Sequence, residues 1–110
     1  MSIQHYAPGE VISISPDGAK FESAKSETLI RESHIEVFRF ILNAGKTTPE
    51  HTAAGAVTIQ CIEGEVELNL AGQIRILKAN TLVYLSAGAS HTVKALSDST
   101  LLITILLQRE

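Results

Sequence analysis

Hydrophobic residues along this chain fall into short runs that are separated by polar or glycine-containing turns. No stretch has the 3.6-residue spacing of an amphipathic helix, so the pattern predicts strands. Residues 66–70 alternate between apolar and polar side chains, residues 71–73 carry a turn signal, and residues 74–76 alternate again. This pattern is typical of a hairpin with one buried face. The polar side chains that we place on its other face are Glu67, Asn69 and Arg75.

Four other runs carry apolar residues on both faces and therefore predict strands that are covered on both faces. Turn signals separate the runs at intervals of about ten residues, which favours an all-β sandwich or barrel. Such strands need an outer cover, and 110 residues leave room for one domain only. The four runs are Ile35–Leu42, Val57–Ile62, Leu82–Leu85 and Leu101–Leu107.

The first 34 residues are more polar and less regular than the rest of the chain. Residues 11–14 precede the turn-forming sequence Pro16-Asp17-Gly18, so they predict an edge strand that ends in a turn. Between Ser23 and Ile30 the pattern is ambiguous, and Thr28–Ile30 is the better strand candidate.

Composition narrows the classes of protein that fit. The formal net charge is −3 and the pI is about 5.8, so the chain lacks the concentrated positive charge that nucleic-acid binding needs. Its longest apolar run is far shorter than the roughly 20 residues that span a bilayer. The start of the chain has no basic segment followed by an apolar run, so we expect no signal peptide, no membrane partner and a cytoplasmic location.

Cys61 is the single cysteine of the chain, which excludes an internal disulfide bond and a cysteine-based zinc site. It shares a face of its predicted strand with Val57 and Ile59. We therefore expect Cys61 to be a buried and unreactive residue inside the barrel.

Two segments carry recognisable motifs. In the first, five residues separate Gly45 from His51, and Gly64 follows after a predicted strand. The second contains Gly88 and His91. These segments resemble the two motifs of small single-domain cupins of the conserved-barrel type (cupin type 2). The resemblance covers roughly residues 35–107. It implies a double-stranded β-helix, the jelly-roll barrel of RmlC-like cupins, over residues 35–110. Residues 1–34 would then form N-terminal strands or an arm on the barrel or on a dimer interface.

The chain departs from the cupin pattern at positions that matter for chemistry. Family metal sites use three His and one Glu, but Ala53 stands at the second His position and Val57 at the Glu position. Only His51 and His91 are left as ligands, and two imidazoles predict weak binding of a divalent metal. Gln60 could add an oxygen ligand only if a one-residue bulge reversed its side-chain direction. Further replacements in the second motif are Asn80 for Gly, Ser86 for Pro and Ala95 for Asn.

Three interpretations of the two histidines stay open. His51 and His91 are either hydrogen-bonding residues at the mouth of a pocket, ligands of a metal whose shell water or substrate completes, or general acid–base groups. Strand parity places apolar side chains around them and predicts a pocket for a small, mostly apolar molecule with one acceptor or acidic group. The predicted pocket consists of His51, His91, Val57, Ile59, Cys61, Phe38, Phe40 and Gln60.

Three classes of function follow: a ligand-binding or sensing module, a metal-dependent enzyme of the dioxygenase or isomerase type, and a structural barrel whose surface binds a partner. The loss of two of four metal ligands favours the first class over the second. The resemblance also implies a homodimer that forms through a sheet face.

Overall fold

The computed structural model describes residues 5–14 and 26–107. In these ranges the chain forms eight antiparallel strands and no helix, which confirms the all-β prediction. No helix long and apolar enough to cross a membrane occurs in this part of the chain. The strands are β1 (Glu27–Arg31), β2 (Ile35–Leu42), β3 (Val57–Glu63), β4 (Glu65–Leu70), β5 (Gln73–Lys78), β6 (Thr81–Leu85), β7 (His91–Ala95) and β8 (Ser99–Leu106).

The strands form two sheets. The larger sheet has the order β1-β2-β8-β3-β6, and the smaller one has the order β5-β4-β7. The last strand, β8, lies in the middle of the larger sheet, where it pairs with β2 without a shift from Ile35 opposite Leu106 to Leu42 opposite Ser99. Every second side chain of this sheet therefore faces the smaller sheet.

The core lies between the two sheets. On β3, Val57, Ile59 and Cys61 are almost completely buried. They pack in one cluster with Val66 and Leu68 of β4, which belongs to the smaller sheet. These five residues are the ones whose alternation along the chain predicted an inward-facing position. Burial of these aliphatic side chains is the main force that holds the sheets together.

The hairpin of β4 and β5 forms as predicted, with Glu67 and Asn69 on its outer face, but the face predicted for Arg75 was wrong. The turn contains two residues, Ala71 and Gly72, both with positive φ, and Leu70 pairs directly with Gln73. A turn one residue shorter than expected reverses the direction of every side chain on β5. Arg75 consequently pairs with Leu68, a residue of the buried face. The residues on the outer face beside Asn69 and Glu67 are Ile74 and Ile76, which are 45% and 46% exposed.

The N-terminal residues in the described range pack on β1 and β2. The Tyr6 amide donates to the Leu29 carbonyl, and the Arg39 guanidinium donates to the Ser13 carbonyl at 3.1 Å. Arg39 also pairs with Glu27 at 3.4 Å. The strand predicted at Thr28–Ile30 is confirmed, since it lies within β1.

The strand predicted at residues 11–14 does not form. Val11 is 95% exposed, and the segment is tied to the larger sheet by the hydrogen bond from Arg39 to the Ser13 carbonyl. The turn predicted at Pro16-Asp17-Gly18 lies outside the described residues.

Candidate functional site

A cavity of about 560 Å³ opens between the two sheets. Strands β2, β3 and β8 form one wall, and β7 with the segment 46–53 forms the other. Most of the lining is apolar, so the cavity offers few groups that could hold or orient a polar molecule. The lining residues are Phe38, Phe40, Leu42, Pro49, Ala53, Val57, Ile59, Val93, Leu101, Ile103 and Ile105, together with the polar Lys46, Thr47, Thr48, His51 and His91.

The segment 46–51 runs antiparallel to β7 and extends the smaller sheet beyond its three strands. Thr47 is bridged to Lys94, and His51 is bridged to His91. Three residues lie between the bridged positions on this segment and two on β7, so the segment contains one extra residue. Such a bulge reverses side-chain direction along the strand. It lets His51 face the cavity although Thr47 is paired with Lys94, an exposed residue on the outer surface.

His51 and His91 form a close pair at the cavity. Each backbone N–H donates to the other residue's carbonyl at 3.1 Å, and the ring centroids lie 5.3 Å apart with the rings nearly perpendicular. Their environments differ, because His91 is only 7% exposed whereas His51 lies at the surface. One imidazole of the pair is therefore held within the wall while the other contacts solvent.

A backbone contact fixes the protonation pattern of His91. Its Nδ1 lies 3.2 Å from the Ala89 carbonyl oxygen. A carbonyl can only accept a hydrogen bond, so Nδ1 carries the proton and donates it. In the neutral ring Nε2 then holds a lone pair, which can accept a hydrogen bond from a ligand.

Neighbouring contacts hold the loops that carry the pair. The Gly88 amide donates to the Ala53 carbonyl at 2.8 Å, which ties the loop before β7 to the loop before β3. The Ser90 hydroxyl donates to the Glu50 carboxylate at 2.5 Å. Glu50 therefore forms a hydrogen bond beside the site, and it does not line the cavity.

Six of the eight residues assigned to the pocket from sequence line this cavity. The two that do not are Cys61 and Gln60. Gln60 lies on the outer face of the larger sheet, paired with Leu82 and Leu102. A register shift does occur in β3, but it falls between Cys61 and Glu63 and so cannot turn Gln60 inward.

Cys61 lies in the core below the cavity and is completely buried. Its thiol contacts the carbonyl oxygens of Glu63 and Gly64 at 3.4 and 3.5 Å. Burial raises the pKa of the Cys61 thiol, and the nearby carboxylates of Glu65 and Glu63 raise it further. The thiol is therefore held in its protonated, unreactive form.

Sequence reasoning missed three polar residues of the wall, Lys46, Thr47 and Thr48. Thr48 is fixed to β7, because its amide donates to the Val93 carbonyl at 2.9 Å and its hydroxyl accepts from the Val93 amide at 3.0 Å. The polar run Lys46-Thr47-Thr48-Pro49 has the composition of a loop. Its position directly before His51, a predicted pocket residue, was the one signal that could have identified it.

The donor set does not fit the metal site that the cupin pattern implies. Within residues 5–14 and 26–107, no group of three or more His, Cys, Asp or Glu side chains is arranged to hold a metal ion. Ala53 and Val57 occupy the positions of the second His and the Glu of the cupin metal site, and their apolar side chains line the cavity. A catalytic metal usually has three protein ligands and one open position, and the pair supplies two.

Comparison with known proteins places this fold and site in a family. A family model for the cupin domain matches residues 38–106, which is more than half of the chain and includes both histidines of the pair. The chain therefore belongs to the cupin family. No curated protein sequence matches it.

Solved structures of low sequence identity share the fold. A conserved protein of unknown function from Streptococcus pyogenes is 17% identical and superposes with a TM-score of 0.77, covering 100% of this chain and 98% of that one. An RmlC-like cupin from Shewanella frigidimarina is 20% identical, with a TM-score of 0.72 over 98% and 95% of the two chains. An RmlC-like cupin with a double-stranded β-helix fold, from Methanocaldococcus jannaschii, is 18% identical, with a TM-score of 0.73 over 90% and 94%. The fold is the double-stranded β-helix, as predicted.

Proposed function

We propose that this cupin binds a small, mostly apolar molecule in the cavity between its sheets. One observation carries the proposal: a cavity of about 560 Å³ has an apolar wall with a few polar groups on one side. Its size lies within the range of about 300–1,000 Å³ that is usual for small-molecule sites. Burial of an apolar ligand against this wall would supply most of the binding free energy.

His51 and His91 would orient the ligand. In its neutral form His91 accepts a hydrogen bond at Nε2, since Nδ1 donates to the Ala89 carbonyl. In its protonated form it donates at Nε2 to a carbonyl or carboxylate oxygen. His51 is exposed and can exchange protons with solvent. Ser90, the neighbouring hydroxyl, donates to Glu50 and is not activated by either imidazole.

The alternative function, a metal-dependent enzyme of the dioxygenase or isomerase type, has less support. Two imidazoles would have to hold the ion with water or substrate in the remaining positions. Elemental analysis of protein purified without a chelator tests this choice. Stoichiometric iron, nickel, manganese or zinc that is lost in both His51→Ala and His91→Ala would overturn the ligand-binding proposal in favour of the enzyme.

Binding itself is tested by NMR titration of isotope-labelled protein with a panel of aromatic and aliphatic fragments of about ten heavy atoms. We expect hits that shift amide resonances of the cavity wall. Ile103→Phe, which fills the cavity from β8, should weaken every hit at least tenfold. Thr92→Phe adds the same ring on the outer face of β7 and should change no affinity. A panel without hits, or equal effects of the two variants, would refute the proposal.

We further propose that the protein is a homodimer formed through the outer face of the larger sheet. Leu82, Tyr84 and Leu106 point outward there and are 59%, 64% and 51% exposed. Between them lie the uncharged Thr58 and Gln60. A two-fold interface brings one patch against its own copy, so a charged patch would oppose like charges. An apolar patch without charges supports a second copy of this chain as the partner.

A further inference from the structure

We infer that the ligand of the cavity is a carboxylate with an apolar body, and that Lys46 holds the carboxylate group. This inference rests on the proposed function and names the chemical class of its ligand.

The cavity wall contains basic side chains and no acidic ones. Among the lining residues, Lys46 is a fixed cation, His51 and His91 can become cations, and none is acidic. Within the described part of the chain Lys46 forms no ion pair; the two pairs there are Arg31 with Glu36 and Arg39 with Glu27. An apolar cavity with a cation and no carboxylate attracts an anion and repels a metal ion.

Lys46 lies far from the two histidines along the cavity wall. Its carbonyl accepts from the Ala95 amide, so Lys46 lies opposite Ala95, whereas His51 lies opposite His91. Four residues along β7 correspond to about 13 Å. The cation and the imidazole pair therefore mark two separate ends of the same wall, with Thr48 and Val93 between them.

The exposure of Lys46 indicates the position of the ligand's anionic group. Lys46 is exposed although it lines the cavity, so its ammonium lies where the wall meets solvent. A carboxylate paired with it there keeps part of its hydration, while an apolar body extends inward over Phe40 and Leu101. A carboxylate placed deeper in the cavity would lose water without gaining a fixed charge.

The test uses 4-phenylbutanoate and its neutral amide, which share one shape and differ in charge. Because His51 and His91 line the same wall, the variant Lys46→Met is needed to assign a preference for the acid to Lys46. We expect NMR titration to give a preference of about two- to fivefold for the acid, because an ion pair at an exposed lysine gains only a modest Coulomb energy. Lys46→Met should remove this preference, so that the acid and the amide bind with equal affinity.

Lys94→Met is the matched control. Lys94 lies opposite Thr47 but is exposed on the outer face, so its removal changes the net charge equally without altering the cavity. The preference for the acid should survive in this variant. The inference is overturned if the wild type binds acid and amide equally, if Lys94→Met reduces the preference as much as Lys46→Met, or if Lys46→Met keeps the preference. In each of these cases binding in the cavity still stands. If neither compound shifts a cavity resonance, the inference and the proposed function fall together.

Discussion

Gly64 and Ser99 lie in such close contact that residue 64 has no room for a side chain. A Cβ atom there would be 2.7 Å from the Ser99 Cα atom, and closer still to the Ser99 hydroxyl and the Asp98 carbonyl. Ser99 is completely buried, and its hydroxyl donates to the Ser97 carbonyl at 2.7 Å and accepts from the Glu65 amide at 3.1 Å. This contact joins the turn between β3 and β4 to the start of β8.

Gly64→Ala should therefore be strongly destabilising. The new methyl group meets backbone atoms, and φ at this position is +88°, which L-residues rarely adopt. We expect a loss of about 3 kcal/mol or more in the free energy of unfolding, measured by urea denaturation. Gly72→Ala is the control, because Gly72 has a φ of +90° but open space around its Cα. It should cost about 1 kcal/mol. Equal losses in the two variants would show that the contact with Ser99 is unimportant.

Cys61 should make stability depend on alkaline pH. Burial raises its pKa in the folded state, so the folded protein keeps the thiol proton at pH values where the unfolded chain has lost it. The raised pKa of Cys61 makes its full contribution to the free energy of unfolding at pH values below about 8.5, where a free thiol is still protonated. This contribution is lost as the pH rises toward the pKa of Cys61 in the folded protein. The expected slope is at most about 1.4 kcal/mol per pH unit. Urea denaturation between pH 7 and 10 should show this fall in the wild type and a smaller fall in Cys61→Ser.

The protonation state of the His91 ring can be observed directly. Donation from Nδ1 to the Ala89 carbonyl predicts that the neutral ring carries its proton on Nδ1. Long-range ¹H–¹⁵N NMR spectra at pH 8 should therefore show a bare Nε2 for His91. His51 forms no side-chain hydrogen bond within the described residues, and it should show the tautomer mixture of a solvated imidazole. A protonated Nε2 in neutral His91 would contradict the assigned contact.

A charge on the outer face of the larger sheet should prevent the proposed homodimer. Tyr84→Asp places two carboxylates in the two-fold interface, whereas Ile76→Asp adds the same charge on the outer face of the smaller sheet. Sedimentation velocity at micromolar concentration should give a dimer for the wild type and for Ile76→Asp, and a monomer for Tyr84→Asp. A monomeric wild type would refute the proposal, and so would a dimer that tolerates Tyr84→Asp.

The sequence predicted the strands and the inward residues well, because alternation has a direct physical cause. A residue such as Ile59 or Leu68 is apolar and flanked by more polar neighbours, and only one face of its strand is buried. Side-chain direction on β5 was mispredicted because it depends on the length of the turn. Ala71 is not a residue that usually adopts positive φ, so nothing in its identity indicated a two-residue turn.

The candidate site was predictable only in part. The cupin motifs identified His51 and His91, and both line the cavity. Lys46 was missed because its inward position depends on pairing with β7, which lies about 45 residues further along the chain, and not on any local pattern. Gln60 was included on the assumption of a bulge before it, and the observed shift lies after it.

The extra residue between Thr48 and His51 has an evolutionary consequence. The number of residues in this segment, and not their identity alone, decides whether the imidazole of His51 points into the cavity or away from it. Deleting Pro49 or Glu50 would turn His51 outward while leaving the histidine in the sequence. Related cupins could therefore gain or lose this group by insertion or deletion, and an alignment that scores only matching residues would count the histidine as retained.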